Sequence, residues 1–212
     1  MEKPIIIFGA KGIASSALEI FQSNDITVYG FLDDDTSTHG TEINDVPVLG
    51  DTEDHGYLKL IGQKCEAFVA TDETKVRKEL VKYILDKRKV MPTNAVHNKA
   101  TISTSASIGH GNFINAGAIL GADVEVGQHC IIHSGAILES EVKVADFSQI
   151  GAGTIISSGV TIEEGAFIGS GVNIVGGITI GKGARIGAGS VVIQSVKKGE
   201  TVFGNPATVV KK

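Results

Sequence analysis

The sequence predicts a small α/β domain followed by a parallel β-helix, and two observations lead to this prediction. The second half repeats an aliphatic residue every six positions, and most of the 27 glycines of the 212-residue chain lie in that half. The first half instead alternates short apolar strands with helical segments. A hydrophobic content of 42% supplies enough apolar material for a core in each part.

The six-residue repeat predicts the β-helix. Stepping forward from Ile102 gives Ile, Leu or Val at sixteen successive positions, ending at Val192. This period fits neither the 3.6-residue helix nor the two-residue alternation of a plain strand, but it suits short strands joined by tight turns. With three repeats per coil, the segment would form about five stacked coils. An ordinary β-sandwich would break the phase, because its turns recur at irregular spacing.

The first half predicts a βαβ opening. Residues 5–8 form an apolar strand, a Gly9-Ala10-Lys11-Gly12 turn follows, and a helix comes next. The GFLDDD segment ends a second strand in acids, and EAFVA gives a third strand. The TKVRKELVKYILDKR segment is an amphipathic helix that Asp72 can cap. We therefore assign residues 1–92 to the α/β domain and residues 93–212 to the β-helix.

Charge and composition argue against several classes of protein. The formal net charge is −5 and Trp is absent, which disfavours a nucleic-acid groove and base-stacking platforms. No apolar run approaches the ~20 residues that span a bilayer, and no basic leader with a cleavage site is present. Cys65 and Cys130 form neither a CxxC pair nor a disulfide framework. We expect a cytoplasmic protein with no membrane and no nucleic-acid partner.

Four features together indicate a family. They are IIIFGAKG at the start, GFLDDD with VPVLGD, the unbroken hexapeptides, and the closing IGAGSVVIQSVKKGETVFGNPATVV. With these features the chain resembles the left-handed β-helix acyltransferases that acetylate nucleotide-linked amino sugars or sialic acids. The resemblance implies a Rossmann-like domain that binds a nucleotide sugar, a left-handed parallel β-helix, a homotrimer, and acetyl-CoA as co-substrate between adjacent subunits.

The resemblance implies a function in two alternative forms. The first is an acetyl-CoA-dependent acetyltransferase that acts on a nucleotide-linked amino sugar in surface glycan biosynthesis. The second is a catalytically inactive homologue that binds the sugar nucleotide in a structural or regulatory role. An NAD-dependent oxidoreductase is disfavoured, because about 90 residues are short for a complete dinucleotide fold.

The candidate substrate-binding residues are Gly9, Gly12, Asp33 and Asp34. A glycine turn between a strand and a helix offers backbone N–H groups to a phosphate, and carboxylates after the second strand can accept hydrogen bonds from a base or ribose. The simpler interpretation is a tight βα turn and a solvated acidic turn, and the incomplete GxGxxG pattern leaves both open. The family resemblance favours nucleotide binding.

Acetyl transfer needs a base that takes the proton of the nucleophile. By the resemblance, the family's catalytic histidine corresponds to Ser140 and its cofactor-contacting histidine to Gln149. Serine is not basic near neutral pH, so three hypotheses remain open. His133 of a neighbouring subunit could be the base, or Glu141 or Glu139 could serve if partial burial raises its pKa. In the third, the protein binds ligands without transferring acetyl.

Position matches to the family also predict cofactor contacts. Ser158 and Ala188, together with Gln149, correspond to residues that contact acetyl-CoA. Lys197 or Lys198 lies where a side chain could reach nucleotide phosphates, although lysines of a C-terminal turn are more often solvated.

No metal site is expected. Related trimeric β-helices include metal-dependent carbonic anhydrases, but His129 and His133 are separated by three residues and His110 lies nineteen residues before His129. This spacing does not match the ligand pattern of those enzymes. We expect His129 to pack beside Phe147, which lies one predicted coil further on.

Overall fold

The structure is a computed structural model that describes residues 3–210. The chain divides into two compact units, one reaching to Asn98 and one starting at Lys99.

The N-terminal unit is built on a five-stranded sheet with the order β3-β4-β2-β1-β5, which is parallel except for β3. Its elements are β1 (Ile5–Phe8), α1 (Ala14–Ser23), β2 (Val28–Leu32), a 3₁₀ turn (Thr36–Thr38), β3 (Glu42–Ile43), β4 (Val46–Gly50), α2 (His55–Leu58), β5 (Glu66–Val69), α3 (Thr74–Arg88) and β6 (Ala95–Val96). The four residues of β1 are buried, and Phe21 of α1 meets Phe68 of β5 edge to face at 5.6 Å between ring centroids. The predicted α/β unit is confirmed.

The start of α3 differs from the prediction. The residue that caps the helix is Glu73, and its side chain makes no capping hydrogen bond. Asp72, which the sequence predicts as the cap, lies instead against the glycine turn after β1. A methyl group at Gly12 would come within 2.9 Å of the Asp72 Oδ2. The capping prediction was wrong because the tertiary fold directs this carboxylate towards the turn.

The division after Asn98 lies six residues beyond the boundary that the sequence suggests. The end of α1 holds the intervening segment in the N-terminal unit. The Asn24 Nδ2 donates to the Val96 carbonyl at 2.9 Å, and the Asn98 Nδ2 donates to the Ser23 carbonyl at 2.6 Å. These long-range side-chain contacts leave no local pattern in the sequence.

The second unit is a parallel β-helix of two-residue strands. They are β7 (Thr101–Ile102), β8 (Ser107–Ile108), β9 (Phe113–Ile114), β10 (Ile119–Leu120), β11 (Glu125–Val126), β12 (Ile131–Ile132), β13 (Ile137–Leu138), β14 (Lys143–Val144), β15 (Gln149–Ile150), β16 (Ile155–Ile156), β17 (Thr161–Ile162), β18 (Phe167–Ile168), β19 (Asn173–Ile174), β20 (Thr179–Ile180), β21 (Arg185–Ile186) and β22 (Val191–Val192). After them, β23 (Thr201–Gly204) pairs in parallel with β21, and β24 (Ala207–Val209) pairs antiparallel with β23.

Three faces make up this β-helix. Face A contains β7, β10, β13, β16, β19 and β22; face B contains β8, β11, β14, β17 and β20; face C contains β9, β12, β15, β18, β21, β23 and β24. From β7 to β19 each strand pairs with the one eighteen residues further on, as Ile119 does with Ile137. Three hexapeptides therefore complete one coil, as the sequence predicts.

The second residue of each strand points inward and forms the core. Ile132 and Ile150 on face C are fully buried, like most of the predicted series. Burying one such side chain contributes about 1.5–3 kcal/mol. Ile102 and Ile108 are only half-buried, because they belong to the first coil of the stack.

Two columns of corners in the β-helix have residues other than glycine at positive φ: Asp123 and Glu141 lie in one column, and His129 and Phe147 lie in the other. His129 and Phe147 both adopt the left-handed conformation, with φ of 56° and 58°, where most equivalent corners have glycine. Their rings stack with centroids 5.0 Å apart, which confirms the predicted packing. Gly111 lies in the same column, and a Cβ there would approach the His129 Nδ1 to 2.1 Å. The imidazole thus needs a glycine one coil below it.

Candidate functional site

A cavity of about 440 Å³ opens in the N-terminal unit where β1 and β2 end. It is lined by all four predicted substrate-binding residues, by Lys11 in the turn, and by residues that follow β4 and β5. Its lining includes Gly9, Lys11, Gly12, Asp33, Asp34 and Thr52, with Asp72 and Glu73 just before α3. The carboxyl ends of parallel strands are the usual place for ligands in such sheets.

The two glycines are required by the backbone. Gly9 has φ of 105°, and its N–H donates to the Leu32 carbonyl at 2.7 Å. A Cβ at Gly9 would lie 2.7 Å from the Ala70 carbonyl oxygen, so the turn passes close to the end of β5. Gly12 has φ of 57°. The tight βα turn is therefore real, and it also borders the cavity.

The two predicted carboxylates have structural partners. Asp33 accepts the Ala10 N–H on Oδ2 at 2.7 Å and the Asp35 N–H on Oδ1 at 2.8 Å. Asp34 accepts the backbone N–H and the hydroxyl of Thr52 on Oδ1, at 2.9 and 2.8 Å. Asp33 therefore fixes the glycine turn through Oδ2 and the acidic turn after β2 through Oδ1. Contact of either carboxylate with a base or ribose stays a prediction.

An ion pair beside the cavity, between Lys11 and Asp35, was not predicted from the sequence. The Lys11 Nζ donates a hydrogen bond to the Asp35 carboxylate, which also accepts the N–H and the hydroxyl of Ser37. The hydrogen bond from Lys11 holds the pKa of Asp35 well below its usual range, and the same bond raises the pKa of Lys11. Two features of the sequence could have indicated this pair: the lysine within the glycine turn and the three consecutive aspartates after β2.

Replacing Gly9 with alanine should destabilise the N-terminal unit. The added methyl group would collide with the Ala70 carbonyl, and the alanine would keep a φ that is strained for any residue except glycine. Together these effects cost about 1–3 kcal/mol. Urea denaturation measures the loss. Gly40→Ala is the matched control, because Gly40 has a similarly positive φ of 73° but nothing within 4 Å of its Cβ position. Equal losses in the two variants would show that the close approach contributes nothing.

On the β-helix, the structure brings together two of the predicted residues. His133 follows β12 on face C, and its Nε2 lies 3.2 Å from the Nε2 of Gln149 on β15. The two groups lie within hydrogen-bond distance, and the tautomer of the imidazole sets which of them donates. The Phe113 ring meets the imidazole edge to face, with centroids 6.0 Å apart. His133 is thus oriented by two neighbours on its own face.

Ser140 lies at the next corner, after β13 of face A. Its Oγ is 3.1 Å from the Oγ of Ser158, one coil further on. The residue predicted at the family's base position and a predicted cofactor contact are therefore adjacent. Glu139 and Glu141 are both exposed, so the chain by itself does not supply the burial that the glutamate hypothesis requires. Ala188, the other predicted cofactor contact, is exposed at a later corner of the same stack.

Three further findings concern the described residues, 3–210. No group of three or more His, Cys, Asp or Glu side chains in this range could hold a metal ion. Both cysteines in it are free thiols and buried. No helix in it has the length and apolar character that crossing a membrane requires.

Two family models match the chain. The PglD N-terminal domain matches residues 4–84, and the bacterial transferase hexapeptide model, of six repeats, matches residues 105–140 and 159–194. No curated protein matches the chain. The matches fall in the two units that the structure separates.

Solved structures match the chain from end to end. One is a histidine-to-alanine variant of GDP-perosamine N-acetyltransferase from Caulobacter crescentus in complex with CoA and GDP-perosamine, with 28% identity, 99% of this chain and 97% of that chain covered, and a TM-score of 0.90. Another is the acetyltransferase domain of PglB from Neisseria gonorrhoeae FA1090 in complex with acetyl coenzyme A, with 25% identity, 99% and 100% coverage, and a TM-score of 0.88. A third is WeeI from Acinetobacter baumannii AYE, with 25% identity, 98% and 99% coverage, and a TM-score of 0.86.

These matches define the class of protein. The fold is an N-terminal domain of the PglD type joined to a left-handed β-helix of hexapeptide repeats, as the sequence predicts. The structural neighbours of the chain are sugar N-acetyltransferases of the hexapeptide family, so the predicted resemblance is confirmed. CoA is bound in the GDP-perosamine N-acetyltransferase variant and acetyl-CoA in the PglB domain, consistent with acetyl-CoA as the co-substrate.

Proposed function

We propose that the protein is a cytoplasmic acetyltransferase that transfers acetyl from acetyl-CoA to the amino group of a nucleotide-linked sugar in surface glycan biosynthesis. One observation carries the proposal: the match to GDP-perosamine N-acetyltransferase spans 99% of this chain, so it includes both units. In the reaction, the amine attacks the thioester carbon, the carbon–sulfur bond breaks, and CoA leaves as a thiol. A base takes the proton that the nitrogen loses and passes it to the departing sulfur.

In this proposal the base is His133 rather than residue 140. By the resemblance, Ser140 stands at the family's histidine position and has no useful basicity, whereas His133 carries an imidazole that lies against the Gln149 amide. Gln149 itself stands at the position of the family's cofactor-contacting histidine. His133 and Ser140 follow strands of different faces, so we propose that the His133 that serves a site comes from a neighbouring subunit.

One observation favours the alternative of a silent binding homologue. The Ser140 hydroxyl is paired with the Ser158 hydroxyl, and a pair of serines provides no group that removes a proton from an amine. Such a protein would retain both ligand-binding regions without the transfer step.

Acetyl-CoA titration and thiol release together distinguish the two functions. Acetyl-CoA is titrated calorimetrically into the purified protein, and thiol release is followed with a panel of nucleotide-linked amino sugars. The matched control is each nucleotide sugar with a hydroxyl in place of the amine. The transferase proposal expects acetyl-CoA binding and release with at least one amino sugar only. Binding of nucleotide sugars without thiol release supports the silent homologue, and absent acetyl-CoA binding overturns the transferase proposal.

We also propose a homotrimer, assembled through face A. The outward residues of this face are largely apolar, and Ile119 and Ile155 are each 41% exposed in the single chain. Face B instead presents Ser, Glu, Lys and Thr at the corresponding positions. A row of exposed isoleucines along one face is typical of a surface that another subunit covers.

Changing Ile155 to lysine should dissociate the assembly, because it places a charge in the proposed apolar interface. Light scattering coupled to size exclusion is expected to give the mass of three chains for the wild type and one chain for Ile155→Lys. Ser107→Lys on face B makes a comparable change and should leave the mass unchanged. A trimeric Ile155→Lys protein would rule out face A as the interface.

A further inference from the structure

The cavity of the N-terminal unit is unusually acidic for a site that would take a nucleotide. Four carboxylates line it: Asp33, Asp34, Asp72 and Glu73. Among the described residues that line it, Lys11 is the single basic side chain. A diphosphate that enters this cavity meets predominantly negative charge, so its binding depends strongly on any cation that can reach it.

Lys11 is placed where it can reach such a group. It lies in the middle of the turn between Gly9 and Gly12, both of which border the cavity, so its backbone is fixed by the close contacts of that turn. Its side chain is 63% exposed and can change direction without displacing packed atoms. The carboxylate nearest the turn, Asp33, accepts one backbone N–H on each oxygen and also attracts the Lys11 ammonium through its charge, so it helps to keep Lys11 beside the cavity.

The present partner of Lys11 is Asp35, whose side chain is 39% exposed. An exposed ion pair of this kind contributes little to stability, so the ammonium can leave it at small cost. Asp35 retains the N–H and the hydroxyl of Ser37 as partners when Lys11 leaves. The ion pair therefore holds the Lys11 side chain beside the cavity, but it can break when the ammonium finds another partner.

We propose that Lys11 binds the diphosphate of the nucleotide-linked substrate, and that Asp35 holds the Lys11 ammonium when no diphosphate is bound. The inference rests on the proposed function in taking a nucleotide sugar as the ligand. It adds the group that recognises the charged part of that ligand. An ammonium that donates to a phosphate oxygen forms a charge-assisted hydrogen bond, which is stronger than a neutral one.

Calorimetry with matched probes tests the proposal on the full chain. Uridine and UDP form one pair of probes, and guanosine and GDP form the other, so that each pair differs only in the diphosphate. Lys11→Met should weaken the affinity for UDP or GDP, whichever the wild type binds, roughly 10- to 100-fold. This is the contribution of one hydrogen bond to a charged group. The substitution should leave the affinity for the nucleoside unchanged. Lys11→Arg should retain most of the diphosphate affinity.

Two further variants serve as controls. Lys75→Met removes the same charge from an exposed position on α3 outside the cavity lining, and it should change neither affinity. Asp35→Asn removes the competing carboxylate and should tighten diphosphate binding a few-fold. Thermal melting of each variant identifies any loss of folding that would imitate a binding defect.

The outcomes separate this inference from the proposed function. Diphosphate binding by Lys11→Met that equals the wild type overturns the role of Lys11 and leaves the nucleotide-sugar site standing. Equal loss of nucleoside and diphosphate binding also overturns it, because a diphosphate contact affects only the second. If the wild type binds none of the four probes, the nucleotide-sugar site and the role of Lys11 are both overturned.

Discussion

His133→Ala is expected to lower thiol release about 10²- to 10⁴-fold, the usual contribution of a positioned general base. The affinity for acetyl-CoA should stay within a few-fold of wild type, because the change removes the proton acceptor and leaves the corners with Ser158 and Ala188 intact. Calorimetry and a thiol assay on the same preparation measure both quantities.

His110→Ala is the control, since His110 is an exposed histidine of the same β-helix with no assigned role. Glu141→Gln tests the glutamate hypothesis in parallel. If His133→Ala turns over at the wild-type rate while Glu141→Gln does not, the base is the glutamate and the assignment of His133 is wrong.

Ser140→His, which places the predicted family residue at position 140, distinguishes a relocated base from a lost one. If the site has been rebuilt around His133, an imidazole at position 140 replaces the hydroxyl pair with Ser158 and should reduce turnover. If the site has only lost its base, the same change should create activity where the wild type has none. The thiol assay reads both results directly.

Ile162→Ala is expected to destabilise the β-helix by about 2–5 kcal/mol, because it leaves a cavity in the column of stacked aliphatic residues. Ile162 is fully buried on β17, between Val144 of the coil before and Ile180 of the coil after. Neighbouring coils support one another, so a defect in a middle coil weakens the contacts on both sides. Chemical denaturation followed by circular dichroism measures the loss.

Thr161→Ala provides the comparison, because Thr161 is the adjacent residue of the same strand and points outward. Its substitution should change the free energy of unfolding by no more than about 0.5 kcal/mol. Comparable losses in both variants would mean that the inward column is not what holds the coils together.

The β-helix could be predicted almost residue by residue. An aliphatic residue every six positions marks the inward residue of each short strand. Three such strands form one coil, so the structure repeats every eighteen residues. The same spacing predicted the stack of His129 on Phe147. These features follow from short-range periodicity, which a single sequence carries in full.

The candidate sites could be predicted only in part. His133 and Gln149 were singled out separately, but their contact requires knowing that β12 and β15 are neighbours on face C. The pairing of Lys11 with Asp35 and the displacement of Asp72 depend on how the ends of separate strands meet. Such side-chain contacts between distant segments have no periodic signature.

The eighteen-residue coil also limits how this protein can change in length. Inserting six residues before Gln149 keeps every aliphatic residue inward, yet it rotates all later residues to the next face and separates Gln149 from His133. Inserting eighteen residues restores every face and lengthens the stack by one strand spacing, about 4.8 Å. Homologues that preserve such pairs should therefore differ in this half by whole coils, so that the length of the β-helix varies in discrete steps.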